Sequence, residues 1–492
     1  MLLGRSAVCA VLLWQLTPLA AFGANLDDAL AITPTPPDAV ENELIFPRQG
    51  KHVHSSSIVE LPNGSLLAAW FIGSGERKAD DVCVMGARKA SPGASWSEPF
   101  VLADTPGHPD CNPVLWIDKD KQLWLFWSTI LSNQWDSSLV KYRVSTDYLS
   151  TAGAPRWQWQ DTVHVKPNNF QNEMLSHWPK LLESVAFFPR AILAEVSTFT
   201  FVELLRDKWE TILVLVLVLV LANYLAYRVH RWRQRRTGSG GWPRFVYRSC
   251  ACYTAMAVCG AAAAIGYFAF QSHAKLNHRL GWLTANQPLQ LQSGEIVLPL
   301  YSDRFVASMM VISSDGGTSW EASRPMVGYG SIQPTLLERS NGQLVAMMRE
   351  NGVRKRIRYS VSDNQGRDWS AVHETDLPNP GSKINVAALK NGNWVLAYND
   401  LVDGRHSLSL AISHDEGATW KPFKTVESVR PGEASFSYPC VVQSNDGRIH
   451  LTYSSNHHRG KEKGEAIRYV SLGQPEMRGA LSEARSTRGI VR

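Results

Sequence analysis

Six times along the chain, a short apolar run, a polar turn and a second apolar run follow one another. The copies read SSIVELPNGSLLAAWF, NPVLWIDKDKQLWLFWS, QPLQLQSGEIVLPLYS, QPTLLERSNGQLVAMMRE, INVAALKNGNWVLAYND and YPCVVQSNDGRIHLTYS. Two strand-length runs around a tight turn, usually containing Gly, predict a β-hairpin in every copy. The turn residues are Gly64, Lys121, Gly294, Gly342, Gly392 and Gly447, and the last four are 48, 50 and 55 residues apart. That spacing is about one four-stranded propeller blade. The step from Lys121 to Gly294 is 173 residues, one blade plus roughly 120 more. A second pattern, Ser-x-Asp-x-Gly-x-x-Trp, follows three copies as SSDGGTSW, SDNQGRDW (Asn364 in the Asp place) and SHDEGATW. Its Trp320, Trp369 and Trp420 are 49 and 51 apart, and SPGASW ending at Trp96 is a degenerate copy. The carboxylate can tie down turn amides while the indole packs on the blade.

The long step contains the one change of period. Thr211 to Tyr227 is almost wholly apolar, and Ala251 to Phe270 carries no charge. Each run is long enough, or nearly so, to cross a hydrocarbon core of about 30 Å. Aromatic residues Trp209, Tyr224, Tyr227 and Trp232 sit near the ends, as at a membrane interface. The stretch 228–249 between the runs holds seven Arg and no Asp or Glu, which predicts a cytoplasmic loop. The expected element is a two-helix transmembrane hairpin, about 211–227 and 251–270, with both flanks outside the cytoplasm. Val185 to Trp209 reads as an interfacial helix. Residues 1–24 carry Arg5, an apolar run and small residues at Ala21 to Ala24, the pattern of a signal peptide or an uncleaved signal anchor. Either would export the chain downstream of it, in agreement with the hairpin.

Composition changes this picture little. The 492 residues are 44% hydrophobic, enough for a sizeable core, and the 18 Trp suit an all-β fold. The net charge of +6 is outweighed by the seven clustered Arg alone, so it signals topology and not a nucleic-acid footprint. Outside the signal and apolar runs remain Cys83, Cys111 and Cys440. They read as one disulfide or as free buried thiols, without metal spacing. His457 and His458 read as solvated, and no metal, cofactor, phosphate loop or nucleophile elbow is indicated.

The hairpins and Ser-x-Asp-x-Gly-x-x-Trp turns resemble the BNR-repeat (Asp-box), sialidase-like family across about residues 42–160 and 278–472, nearest to its bacterial exo-sialidase branch. The resemblance implies an all-β, six-bladed β-propeller. Blades 1–2 fall in 42–160, the insertion in 161–277 and blades 3–6 in 278–472, followed by a flexible tail, 473–492. ELIFP (Glu43 to Pro47) would close the ring against the last blade.

In such a hairpin, residues before the first strand and after the second meet at one face. The second-strand ends bring Tyr301 and Ser302, Arg349 and Glu350, Asn399 and Asp400; the first-strand entrances bring His54, Asn112, Gln333, Asn385 and Tyr438. Sialidases bind a sialic acid carboxylate with an Arg triad, and use a Tyr nucleophile paired with a Glu and an Asp acid/base. The resemblance implies that Arg349 is the second Arg, Tyr438 the nucleophile or stabiliser, and Asp81 the acid/base, with Asp80 its near alternative and Glu76 the next carboxylate. It departs at three places: His54 stands where the first Arg belongs, Gln333 where the activating Glu belongs, and Arg405 is only a candidate for the third Arg. Asp303 joins the branch's motif residues. Arg349 has two readings, substrate binding or a pair with Glu76 or Asp303, and Asp400 reads as a partner of Arg405. Trp70 and Trp127 read as core.

The expectation is a membrane-tethered, sialidase-like glycoside hydrolase acting on an acidic sugar at the periplasmic face of a bacterial inner membrane. Its alternatives are a glycan-binding propeller and a polysaccharide lyase. Carbohydrate and lipid are the expected partners. A reporter fused near Gly240 should report from the cytoplasm; a periplasmic signal would overturn the hairpin.

Overall fold

The computed structural model describes residues 41–149, 152–167, 228, 232, 235, 278–328, 330–460 and 463–473. The expected membrane segments, signal and tail lie outside the described residues. Among the described residues no helix is long and apolar enough to cross a membrane.

All six predicted hairpins form, and each extends into an antiparallel sheet of one propeller blade. Blade 1 is His52–Glu60, Leu66–Gly73, Cys83–Lys89 and Phe100–Ala103. Blade 2 is Asp110–Ile117, Leu123–Ile130, Ser138–Ser145 and Trp159–Thr162. Blade 3 centres on Ile296–Ser302 and Ala307–Ser313, with broken inner strands (Leu283–Thr284, Leu289–Gln290) and outer strands (Glu321–Ala322, Met326–Val327). Blade 4 is Ser331–Glu338, Leu344–Glu350, Arg356–Ser362 and His373–Pro378. Blade 5 is Asn385–Ala388, Trp394–Tyr398, Ser407–Ser413 and Lys421–Ser428. Blade 6 is Ala434–Gln443, Ile449–His457 and Gly464–Leu472, completed by Glu41–Leu44 from the start of the ring. The closing strand begins two residues before ELIFP and pairs Glu43 with Tyr469 and Leu44 with Arg468.

The hairpin turns need a left-handed residue, which Gly supplies at φ between 81° and 92° in five blades. Lys121 takes that position in blade 2 at φ 58°, a conformation few non-Gly residues adopt. The Asp-box turns join the third and fourth strands of blades 3, 4 and 5. In SSDGGTSW the Ser319 amide donates to Asp315 Oδ1 at 2.8 Å and the Gly317 amide to Ser313 Oγ at 2.8 Å. SHDEGATW repeats both bonds at 2.8 Å through Asp415 and Ser413. In SDNQGRDW, Asn364 Oδ1 accepts the Asp368 amide at 2.8 Å, so the amide substitutes for the carboxylate at no loss of the turn. The turns also hold neighbours together: a Cβ on Gly317 would lie 2.6 Å from the Trp124 ring of blade 2.

The core lies between successive sheets. Trp70, Trp124 and Trp127 are buried in it, as expected for core indoles. Cys83, Cys111 and Cys440 are free thiols.

Ring closure adds a buried charge. Lys89, 1% exposed, donates from Nζ to Glu43 Oε1 at 2.6 Å and to Ala94 O at 2.5 Å, and pairs with Glu41 Oε2 at 3.1 Å. Both carboxylates belong to the closing strand, so this lysine ties blade 1 to blade 6. Lys89→Met leaves Glu41, 11% exposed, without its cation, at a cost of about 3 kcal/mol. Chemical denaturation of the variant should show a lower midpoint; an unchanged midpoint would show that Lys89 does not secure the closure.

Candidate functional site

A β-strand directs side chains to the two faces of its sheet, not along its own axis. Four inner strands escape this limit in the same way. In blade 1, His54 pairs with Phe71 but Ser57 pairs with Ala69, so one extra residue is accommodated. The same slip separates Cys111 from Val114, Ile332 from Thr335 and Ser437 from Cys440. Each bulge contains one left-handed residue: Ser55 at φ 59°, Asn112 at 53°, Gln333 at 55° and Tyr438 at 54°. Three of the four are followed by Pro. Such positions cost about 1–3 kcal/mol each and persist where the surroundings hold them. Here the blades do so: the Ser55 amide donates to Ser454 Oγ at 3.0 Å, Ser56 Oγ to Tyr438 O at 3.3 Å, and Thr284 Oγ1 to Asn112 O at 2.7 Å.

The bulges bring side chains of five blades together. Gln333 donates from Nε2 to Tyr438 Oη at 2.9 Å and to Tyr301 Oη at 3.2 Å. Arg349 donates from Nη1 to Gln333 Oε1 at 3.0 Å and to Tyr438 Oη at 3.2 Å, and from Nη2 to Asn351 Oδ1 at 3.1 Å. Asn112 Nδ2 donates to Tyr301 Oη at 3.3 Å. The His54 ring lies 4.1 Å from the Tyr438 ring, tilted by 54°, and edge-on 5.8 Å from Phe71. Tyr438 Oη thus receives two donors, one cationic, while its ring lies against an imidazole.

The electrostatics are lopsided. Burial, then the positive groups His52, Arg405, Arg349 and Lys383, hold His54 well below its ordinary pKa, so it is neutral at neutral pH. His52, 5.6 Å away, goes the other way: burial pulls it down, but its bond to Glu465 and the charges of Glu465 and Glu76 together outweigh this. Burial, then repulsion from Arg349, pulls Arg405 down to about 10. Its Nη2 donates to Gly381 O at 2.9 Å. Burial lowers Lys383, which donates to Pro439 O at 2.7 Å, to about 8. Burial pushes the Asp303 carboxyl up, against the pull of Arg349 and with the push of Glu76, and Tyr301 is pushed well up by burial and Asp303.

The sequence-derived candidates separate on this geometry. Tyr438, Gln333, Arg349, Tyr301 and His54 form one cluster, with Arg405, Asp303 and Glu76 as its charged surroundings. Arg349 makes neither expected ion pair: among the described residues neither Glu76 nor Asp303 is within salt-bridge distance of it, and Glu76 contacts Arg77 at 3.4 Å. Asp81 is at the rim. It accepts the Ser74 amide at 2.9 Å and hydroxyl at 2.7 Å and faces Lys51 at 3.6 Å, and these Ser74 bonds, foremost among its causes, lower its pKa. An acid that must keep its proton near neutral pH needs the opposite shift. Asn399 is a brace, donating to Ser407 O at 2.6 Å and Phe436 O at 2.8 Å. Asp400 lies beside Tyr398, whose phenol burial and that carboxylate push up; among the described residues it forms no ion pair with Arg405. Asn112 was legible only as a strand entrance, and Asn351 and Lys383 gave no sequence signal. A signal for the bulges existed in Asn112-Pro113, Gln333-Pro334 and Tyr438-Pro439, three polar-Pro steps at one offset before an apolar run.

The BNR repeat-like domain family model matches residues 64–188 and 270–451. The chain belongs to that family. No curated protein sequence is similar to it. Solved structures similar to this BNR repeat-like ring include a protein of unknown function from Dyadobacter fermentans (13% identity, TM-score 0.54, covering 88% of this chain and 99% of that one). A leech intramolecular trans-sialidase complexed with 2,7-anhydro-Neu5Ac is similar at 12% identity and TM-score 0.54, over 89% of this chain and 71% of that one. The NanB sialidase from Streptococcus pneumoniae is similar at 10% identity and TM-score 0.54, over 88% and 71%. At these identities the likeness is one of fold.

Asp303 offers a test of the site's cost. Its folded pKa is raised above the ordinary 3.8, so the folded state holds more protons in that window and stability falls as pH rises through it. Asp303→Asn should therefore unfold at a higher denaturant concentration than the parent at neutral pH, and the difference should vanish below the ordinary carboxylate value. A variant less stable at neutral pH would show that the carboxylate is well solvated or paired.

Proposed function

We propose that the funnel cleaves an acidic glycan, with Arg349 and Arg405 taking the acidic group of the sugar. The observation that carries this is Arg349 held 3.2 Å from Tyr438 Oη with Arg405 near enough to repel it, because an anion between them relieves that repulsion. The likeness to two sialidases, one holding 2,7-anhydro-Neu5Ac, agrees with an acidic sugar. Hydrolysis is the leading reaction. Tyr438 Oη, held by Gln333 and Arg349, attacks the anomeric carbon and loses its phenolic proton to Glu76, or stabilises that carbon's developing charge while water adds to it and Glu76 takes the water's proton. Asp303, whose raised pKa suits a proton donor, gives its proton to the leaving oxygen, with Glu76 as the second carboxylate. Two segments, 211–227 and 251–270, tether the ring to a bacterial inner membrane with the funnel on the periplasmic side.

One observation favours a second reaction. Among the described residues Tyr438 is contacted by Gln333, Arg349 and neutral His54, not by a carboxylate. A neutral imidazole can take the proton α to a sugar carboxylate while the phenol protonates the leaving oxygen, which is an elimination.

Purified full-length protein should release sugar from at least one member of a panel of sialosides and uronate-containing polysaccharides. Arg349→Ala and Tyr438→Phe should each lower kcat/KM by at least about 100-fold. A saturated reducing sugar marks hydrolysis, and an ultraviolet-absorbing conjugated acid marks elimination. Calorimetric binding without turnover, lost in Arg349→Ala, would instead identify a glycan-binding ring.

A further inference from the structure

The strands on either side of the insertion fix the face on which the chain leaves and rejoins the ring. Second strands end at the funnel face, so Ile130 and its partner Ser138 mark that face in blade 2. The outer strand runs towards it: Trp159 pairs with Val144, Thr162 with Lys141, and the Val163 amide donates to Val140 O at 2.9 Å. The chain returns at the same place. The Gly281 amide donates to Ser138 O at 3.0 Å, Ser138 Oγ donates to Trp282 O at 2.9 Å, and Leu283 pairs with Tyr301. The Trp282 ring lies 5.9 Å from Phe305, two residues from Asp303. Exit and re-entry therefore both lie on the funnel rim between blades 2 and 3.

The covalent reach on the return side is short. The apolar run ends at Phe270 and the described chain resumes at His278, eight steps that span about 28 Å at full stretch. Turning the ring over would put the depth of a blade between re-entry and bilayer. The six steps from Ile296 to Ser302 alone span about 20 Å, before any turn is added, and would consume most of the linker.

The exposed apolar side chains are divided between the faces in the same sense. Leu131 (40% exposed), Val353 (50%) and Val402 (53%) tip funnel-face loops of blades 2, 4 and 5. Among the described residues the six hairpin turns of the opposite face expose no large apolar side chain; Leu149 (46%) and Trp159 (54%) lie towards that side of blade 2, and Val101 (49%) is on the outer strand of blade 1. Single exposed apolar residues are ordinary, but three on separate blades at one face can all meet a plane.

We infer that the mouth of the funnel faces the bilayer, and that its substrate is an acidic glycan carried on a membrane-anchored molecule. Both halves rest on the proposed tether and on the acidic-glycan function. The test uses full-length protein in phosphatidylcholine nanodiscs containing headgroup spin-labelled lipid, with a fluorescent amino acid placed singly at Val353, Val402, Asn341 or Asn391. Quenching at 353 and 402 should exceed that at 341 and 391 several-fold. Equal or reversed quenching, or failure of the chain to enter nanodiscs, overturns the orientation. Turnover in the same samples keeps the two proposals apart. Face-selective quenching without cleavage of any acidic glycan leaves the orientation standing and removes catalysis. Cleavage with equal quenching does the reverse.

Discussion

The candidate site depends on one backbone device, the extra residue near the funnel end of four inner strands. A regular strand would send Asn112, Gln333 and Tyr438 into the packing between blades, where their polar ends would have to be satisfied or lost. The left-handed bulge turns them to the axis instead. The strain is local and is repeated in blades 1, 2, 4 and 6, which makes the ring a rigid holder for a cluster that no single blade could build. The side-chain bonds between neighbouring blades, through Ser454 Oγ, Ser56 Oγ and Thr284 Oγ1, oppose the same strain. Site and ring closure are therefore coupled: a blade that opens at Lys89 also loosens the support of Ser55 and Tyr438.

The second constraint is charge. The funnel gathers Arg349, Arg405 and Lys383 around a neutral imidazole, and its own carboxylates are recessed without ion pairs to Arg349. Burial pushes His54, Asp303, Lys383 and Arg405 towards their uncharged forms. Such an arrangement costs stability in the empty ring and lowers the reorganisation needed when an anion enters. Asp81 shows the contrast. Three groups, the Ser74 amide and hydroxyl and the Lys51 ammonium, face it at the rim, and the Ser74 bonds lower its pKa.

Much of the fold was legible because each blade repeats the same physics at a fixed spacing. Gly turns, Asp-box turns and alternating apolar runs each encode a local conformation, and their register gave six blades and the closing strand. The cluster was half legible. The topology of a hairpin predicts that Arg349, Tyr301, Gln333, His54 and Tyr438 share a face, because strand ends must. It does not predict which side chains touch, because the bulges shift each entrance by one residue and a one-residue shift reverses a side chain. Asn351 belongs to a loop whose path depends on Gly330 and Gly381 across the blade boundary, and Lys383 is buried by tertiary packing alone. No short-range pattern carries either.

The same topology decides how an insertion can be tolerated. A propeller accepts extra chain where a connection already crosses open space, and connections from one blade to the next lie on the funnel face. An insertion there keeps all six sheets intact, as Thr162 and Leu283 show by remaining paired on either side of it. The consequence is mechanical. Any element built into that loop is held near the funnel mouth, and the shorter of its two linkers sets the distance. A tether at the opposite turns would leave the funnel open to bulk solvent; a tether at this one gives it a limited volume beside whatever surface holds the loop. In this chain the position of the insertion, more than any single side chain, relates the chemistry of the funnel to its surroundings.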